Sequence, residues 1–204
     1  MKKFMLLNGY HWILASRSPR RRQLLRDMGF GFDVIPASDN AEDAIQPDEL
    51  PTQYVERLAR QKAEDVADSH CMRKKTLSDQ DSRPLVVIGC DTVAVCHNEI
   101  LGKPKDVNEA RRMLKMLRGN EHEVISGLCL IHVATGKTII QHDRTVLFMN
   151  NISDEILETY LCTQQWQEKA GAFGYQDGIN WMTIVSGSES NVVGLPLELL
   201  IRMM

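Results

Sequence analysis

One carboxylate stands inside an otherwise apolar run of the sequence. Asp91 lies within residues 85–95, Leu-Val-Val-Ile-Gly-Cys-Asp-Thr-Val-Ala-Val, with the hydroxyl of Thr92 beside it. Val, Ile and Thr favour extended backbone, so the run predicts a central strand, and Gly89 permits close approach of another segment or a ligand. Asp91 therefore either caps a turn or pairs with an arginine, or it is held there to bind a metal or accept a proton.

Cations cluster at the start of a predicted short helix. Ser18 followed by Pro19 is typical of a helix N-terminus, and Arg20, Arg21 and Arg22 follow directly. The helix dipole disfavours cations at this end unless an anion is present. The crowding of arginines therefore favours a phosphate site over a solvated basic face.

A second cation, Lys62, falls inside the apolar stripe of a predicted helix that starts at Thr52. The stripe, at helical spacing, consists of Val55, Leu58, Ala59, Ala63, Val66 and Ala67. Lys62 either extends past these neighbours to solvent or points into a cleft.

The other elements mix strand–helix units with a long hairpin over residues 124–133 and 137–149, which favours an α/β or α+β sheet. Asp106 and Ser153 each predict a helix start. Residues 68–83 and 186–191 carry no periodicity and are predicted to be loops.

Composition excludes several classes of protein. The 204 residues carry a net charge of −3 and suffice for one domain or two small lobes, with no global attraction to nucleic acid or anionic membrane. The five cysteines are scattered without a C-x-x-C pair, which indicates reduced thiols. No apolar segment is long enough for export or for a membrane span, so we expect a cytoplasmic protein.

Common catalytic motifs are missing from the sequence. It contains no P-loop, no dinucleotide fingerprint, no H-E-x-x-H and no G-x-S-x-G. The six histidines are dispersed, and each is interpreted as a surface or a satisfied core residue. The remaining carboxylates and cations suit hydrolysis or binding of a phosphorylated ligand with a divalent metal.

Six blocks, in their order and spacing, resemble the Maf family of nucleotide pyrophosphatases. They are Leu-Ala-Ser-Arg-Ser-Pro-Arg-Arg at 14–21, Tyr-Val-Glu-Arg-Leu-Ala-Arg-Gln-Lys-Ala at 54–63, Gly-Cys-Asp-Thr at 89–92, Leu-Gly-Lys-Pro at 101–104, Ala-Gly-Ala-Phe-Gly-Tyr-Gln at 170–176 and Val-Gly-Leu-Pro-Leu at 193–197. The resemblance implies one α/β domain over residues 1–204, elongated and two-lobed, with a mixed twisted sheet flanked by helices and a deep central cleft. It also implies a hydrolase that converts a nucleoside triphosphate to the monophosphate and pyrophosphate with Mg²⁺ or Mn²⁺, and a homodimer.

Roles follow by position in these blocks. The resemblance implies that Asp91 is the proton acceptor and a metal ligand. It implies that the phosphates meet Ser18, Arg20, Arg21, Lys62 and Lys103. Such cations suit a triphosphate, which stays negatively charged when bound to metal. The loop that carries the family's second acidic residue contains an apparent insertion here, so Glu42 is the candidate second metal ligand and Asp39 the alternative.

Three positions resemble the branch of the family that hydrolyses dTTP and UTP: Arg21, Thr92 and Gln176. A glutamine amide offers both a donor and an acceptor to a pyrimidine edge, and the glycine-rich block supplies close backbone on which a flat base can rest. Two alternatives stay open, a pyrophosphatase that prefers 7-methylguanosine triphosphate and a non-catalytic nucleotide-binding regulator of cell division.

Overall fold

The computed structural model describes residues 9–38, 41, 43–74, 83–175 and 180–204. Its strands are β1 (His11–Leu14), β2 (Asp33–Val34), β3 (Leu85–Cys96), β4 (Glu99–Leu101), β5 (Glu121–His132), β6 (Lys137–Met149) and β7 (Met182–Ser186). Its helices are α1 (Pro19–Asp27), α2 (Pro51–Lys74), α3 (Val107–Leu117), α4 (Asp154–Cys162), α5 (Glu189–Val193) and α6 (Leu197–Met203). The predicted α/β class with a mixed sheet is confirmed.

All seven strands form one sheet in the order β2-β1-β3-β5-β6-β7, with β4 added beside β3. β1 runs parallel to β2 and β3, and the remaining pairs are antiparallel. β1 pairs with β3 as far as Ile88, and β4 pairs with the same side of β3 only from Ala94. Among the described strands, none therefore pairs with residues 89–93 of β3 on that side.

Two glycines bring α2 against the sheet. A Cβ atom on Gly89 would lie 2.1 Å from the carbonyl oxygen of Ala59, and one on Gly127 would lie 2.2 Å from that of Val55. Gly127 is also the cross-strand neighbour of Asp91. Because no side chain separates α2 from the sheet at these two positions, the helix lies close to β3 and β5, and Lys62 reaches Asp91.

Three aromatic rings fix the glycine-rich segment at the other end of the sheet. Phe173 stacks on Trp181 with ring centroids 5.4 Å apart, and Tyr160 packs against both. The Tyr160 hydroxyl donates to the carbonyl of Ala172 at 3.2 Å. This cluster belongs to an apolar core shared with α3 and α4, so the segment rests on a rigid base.

Most of the local sequence signals predicted the helices and strands correctly. Ser18, Asp106 and Ser153 cap α1, α3 and α4 as predicted, and the hairpin of β5 and β6 is confirmed. The loop prediction was wrong for residues 68–74, where α2 continues because no glycine or proline interrupts it. It was also wrong for 189–191, which belong to α5, where the Ser188 side chain caps the helix by accepting from the Asn191 N–H.

Among the described helices, none combines the length and the apolar character that crossing a membrane requires.

Candidate functional site

A cavity of about 860 Å³ opens at the unpaired edge of β3. Seven of the predicted site residues line it: Ser18, Arg20, Arg21, Lys62, Asp91, Thr92 and Lys103. They come from α1, α2, β3 and the loop after β4, which the fold brings to one place. The predictions for Gln176, Glu42 and Asp39 lie outside the described residues.

Asp91 and Lys62 form a buried ion pair on the face of the sheet that α2 covers. The Lys62 Nζ lies 2.5 Å from the Asp91 Oδ1, and the two residues are 7% and 9% exposed. Each charge offsets part of the other's desolvation cost. The structure therefore supports neither a turn cap nor an arginine partner for Asp91, and Lys62 points into the cavity rather than to open solvent.

Arg21 lies on the opposite face of the sheet, where its side chain forms hydrogen bonds with three segments of the chain. Its Nε donates to the carbonyl of Gly194 at 2.7 Å. Its Nη1 donates to the Cys90 carbonyl at 2.8 Å and the Ser16 hydroxyl at 3.3 Å, and its Nη2 to the Thr92 hydroxyl at 3.1 Å. Four of its five N–H groups thus donate hydrogen bonds to acceptors of the protein. Direct contact of Arg21 with phosphate stays a prediction, and its clear role is to position the open edge of β3.

The Thr92 hydroxyl also forms hydrogen bonds with other groups of the protein. It lies 2.8 Å from the Ser126 hydroxyl and 3.3 Å from the Gly194 carbonyl, besides its bond with Arg21. Recognition of the base by Thr92 stays a prediction. Beside it, burial raises the pKa of the Cys90 thiol, which therefore stays protonated and is not an activated nucleophile.

The N-terminus of α1 meets the cavity through Ser16 and Ser18. The Ser18 hydroxyl accepts from the Arg21 N–H at 3.4 Å, and the Ser16 hydroxyl accepts from the Ser18 N–H at 3.2 Å. These bonds fix the first turn, and residues 15–21 all line the cavity. The positive end of the helix dipole therefore adds to the field of the lysines.

Glu168, which the sequence did not single out, lies between two predicted phosphate ligands at the mouth of the cavity. Its carboxylate pairs with the Lys103 Nζ at 2.8 Å, and its carbonyl accepts from Arg20 at 3.4 Å. Both charged side chains of the Lys103 pair are well exposed, at 63% and 82%. The available signal was an acidic residue directly before the Lys-Ala-Gly block.

Gly171 lets the glycine-rich block approach β3 closely, whereas contact of this block with a base stays a prediction. This residue has a φ of 68°, and a Cβ atom there would lie 3.2 Å from the Ala94 Cβ. Its N–H donates to the carbonyl of Gly102 at 3.1 Å, which joins the segment to the loop that carries Lys103. His122 lines the same end of the cavity. It is buried, and its Nδ1 has no hydrogen-bond partner among the described residues, so the interpretation of every histidine as surface or satisfied was wrong here.

The carboxylate in the cavity is compatible with a metal ion that takes its other ligands from the substrate and from water. Within the described ranges, no three acidic, histidine or cysteine side chains form a ready-made metal site. Mg²⁺ commonly uses one or two carboxylates together with substrate phosphates and waters. Asp91 on the inner wall can serve as such a carboxylate.

Comparison with known proteins identifies a family and several relatives. A family model described as "Maf-like protein" matches residues 11–204. A protein from Rhodopirellula baltica named "dTTP/UTP pyrophosphatase" is 43% identical over 193 residues, which cover 94% of this chain and 80% of the relative. Proteins with the same name from Alkaliphilus metalliredigens and Clostridioides difficile are 38% and 40% identical, over 91% of this chain and 90% and 89% of theirs.

Proposed function

The chain belongs to the Maf-like protein family, and from this membership we propose that it hydrolyses dTTP and UTP to the nucleoside monophosphate and pyrophosphate. The observation that carries the proposal is the buried Lys62–Asp91 pair in a cavity that also receives Arg20, Lys103 and the N-terminus of α1. This arrangement offers a proton acceptor next to a field that attracts a polyphosphate.

The reaction needs a water molecule at the α-phosphorus. Asp91 accepts a proton from this water as its oxygen bonds to phosphorus, and the bond from the α-phosphorus to the bridging oxygen breaks to release pyrophosphate. Lys62 is close enough to Asp91 to stabilise the negative charge that develops on the α-phosphate. Arg20 and Lys103, nearer the mouth, suit the outer phosphates.

A divalent ion, Mg²⁺ or Mn²⁺, completes the proposed site. Asp91 would hold it together with triphosphate oxygens, and it would neutralise charge on the phosphates. Glu42 is the proposed second acidic ligand, with Asp39 as the alternative.

Selection of pyrimidines is proposed to involve Gln176 and Thr92, as in the branch they resemble. The protein is proposed to be cytoplasmic, to bind no nucleic acid polymer, to form a homodimer and to enclose one cleft between two lobes. Support for a reducing compartment comes from Cys90, Cys96, Cys129 and Cys162, which are all free thiols.

A substrate panel tests the function. Pyrophosphate release is measured across canonical nucleoside triphosphates and 7-methylguanosine triphosphate, with Mg²⁺ and with Mn²⁺. We expect turnover of dTTP and UTP above the others. Faster turnover of 7-methylguanosine triphosphate would assign the chain to the branch of the family that prefers this nucleotide. Tight binding without any turnover would favour a non-catalytic nucleotide-binding regulator.

The role of Asp91 is tested by Asp91→Asn, which keeps the shape of the side chain but removes the proton acceptor. We expect turnover to fall by about 10²- to 10⁴-fold, the usual contribution of a general base, while UTP affinity largely survives. Asp154→Asn is the control, because Asp154 pairs with Arg118 at the start of α4, away from the cavity. Full activity of Asp91→Asn would refute the assigned role.

A further inference from the structure

The cavity extends from the cations into an apolar end. On β5, His122, Val124 and Ser126 share one face of the sheet, and Ser126 bonds with Thr92 next to Arg21. Ser126 and His122 are four positions apart along the strand, which is roughly 13 Å. Leu147 is the cross-strand neighbour of His122, and Leu117 and Phe173 also line the cavity.

His122 is the polar side chain buried at this end. It is 3% exposed, and its Nδ1 lacks a hydrogen-bond partner among the residues that the structure describes. Buried polar atoms are normally paired, so each exception calls for an explanation, such as a bond to a ligand or to water. A half-turn of the ring exchanges Nδ1 with Cδ2 and Nε2 with Cε1 at almost the same volume, so a nitrogen can be presented to either side, at the cost of the hydrogen bond with the backbone of Asn120.

The protonation state of this ring follows from its surroundings. Burial lowers the pKa of His122 to about 4, and a weaker interaction with the backbone of Asn120 opposes the shift. At neutral pH the imidazole is therefore uncharged, with one donor nitrogen and one acceptor nitrogen. An uncharged ring between apolar walls suits a flat, neutral heterocycle better than a phosphate.

We propose that His122 is a specificity-determining residue that hydrogen-bonds the pyrimidine base of the bound nucleotide. The proposal rests on the function proposed above. With the triphosphate at the cations, the base extends along β5 toward His122, and its ring packs against apolar residues of the same cavity, which include Leu117, Leu147 and Phe173. Thymine and uracil both carry an N–H donor flanked by carbonyl acceptors, so either nitrogen of a neutral imidazole finds a partner.

Two variants test this role. His122→Phe keeps an aromatic ring without nitrogens, and His122→Asn keeps a polar nitrogen near the Nδ1 position. For His122→Phe we expect KM for UTP and dTTP to rise about tenfold, as for the loss of one hydrogen bond, with a smaller change in kcat. Inhibition by inorganic triphosphate, which has no base, should not change, and His122→Asn should restore part of the affinity.

An unchanged KM for UTP in His122→Phe would overturn the proposal, and so would an equal loss of affinity for inorganic triphosphate. If the wild-type protein does not hydrolyse UTP or dTTP, the proposed function fails by itself. Calorimetric binding of UTP and inorganic triphosphate to the wild type and to His122→Phe still decides the role of His122 in that case.

A measurement on the unmodified protein covers the case in which His122→Phe does not fold. The ¹⁵N NMR signals of the His122 imidazole are followed while UTP or inorganic triphosphate is added, with divalent metal withheld so that turnover is avoided. We expect UTP to move these signals and inorganic triphosphate to leave them in place. Signals that respond equally to both ligands, or to neither, would contradict contact with the base.

Discussion

Two lysine–carboxylate pairs line the same cavity and differ mainly in their surroundings. The Lys62–Asp91 pair is 2.5 Å long, and its side chains are 9% and 12% exposed. The Lys103–Glu168 pair is 2.8 Å long, and its side chains are 63% and 82% exposed. Water and salt screen the outer pair, whereas the inner pair is protected from both.

The backbone around each pair reinforces this difference. The inner pair is fixed by α2, which touches β3 and β5 at Gly89 and Gly127. The outer pair joins two loops at the mouth of the cavity. We conclude that Lys62 has a fixed place beside Asp91, the proposed proton acceptor, whereas the exposed pair at Lys103 can be broken at little cost.

Lys62→Met is expected to give the largest effect. It leaves Asp91 as a buried charge without this counter-ion, which should lower the free energy of unfolding by about 3–5 kcal/mol and abolish turnover. Chemical denaturation measures the stability and pyrophosphate release the activity. Lys103→Met is the matched control and should leave stability almost unchanged, because its pair is exposed. Equal stability of the two variants would show that burial does not distinguish the pairs.

His122 extends the comparison to a buried group that forms no ion pair with the residues that the structure describes. Burial lowers its pKa from 6.5 to about 4, so the buried imidazole is uncharged at neutral pH. Between these values the unfolded chain binds a proton that the native protein does not, so stability falls as pH falls. The loss begins near pH 6.5 and reaches about 3 kcal/mol below pH 4.

Urea denaturation of the wild type and of His122→Phe from pH 7 to pH 4 measures this loss. Carboxylates that titrate in the same range cancel in the difference between the two proteins, so the variant should lose less stability on acidification. Parallel pH profiles would show that the native ring is protonated as easily as the unfolded one.

Local signals in the sequence predicted the elements that carry the site. The Ser18 cap, the strand around Asp91 and the amphipathic α2 all depend on residues close in sequence, and all are present. The resemblance of the six blocks then identified the family, which the match over residues 11–204 confirms.

The contacts that define the chemistry depend on the tertiary fold instead. Lys62 and Asp91 are 29 residues apart, and Lys103 and Glu168 are 65 apart. Packing of helices and loops on the sheet decides these contacts, and it also decides that His122 is buried with no hydrogen-bond partner for Nδ1 among the described residues. Spacing along the chain says nothing of such distances, so Glu168 and His122 emerge only from the structure.

Glu168→Gln gives the smallest expected effect and tests the exchangeable character of the outer pair. The native carboxylate competes with a substrate phosphate for Lys103 and repels it, so its neutralisation should lower KM for UTP by about two- to fivefold, the scale of an exposed ion pair. The effect should shrink at high salt, and kcat should not change. Glu158→Gln is the control, because Glu158 forms a similar exposed pair with Arg111 away from the cavity. A large drop in kcat for Glu168→Gln would instead mean that this carboxylate takes part in the reaction, and the two pairs would then be alike in function despite their different exposure.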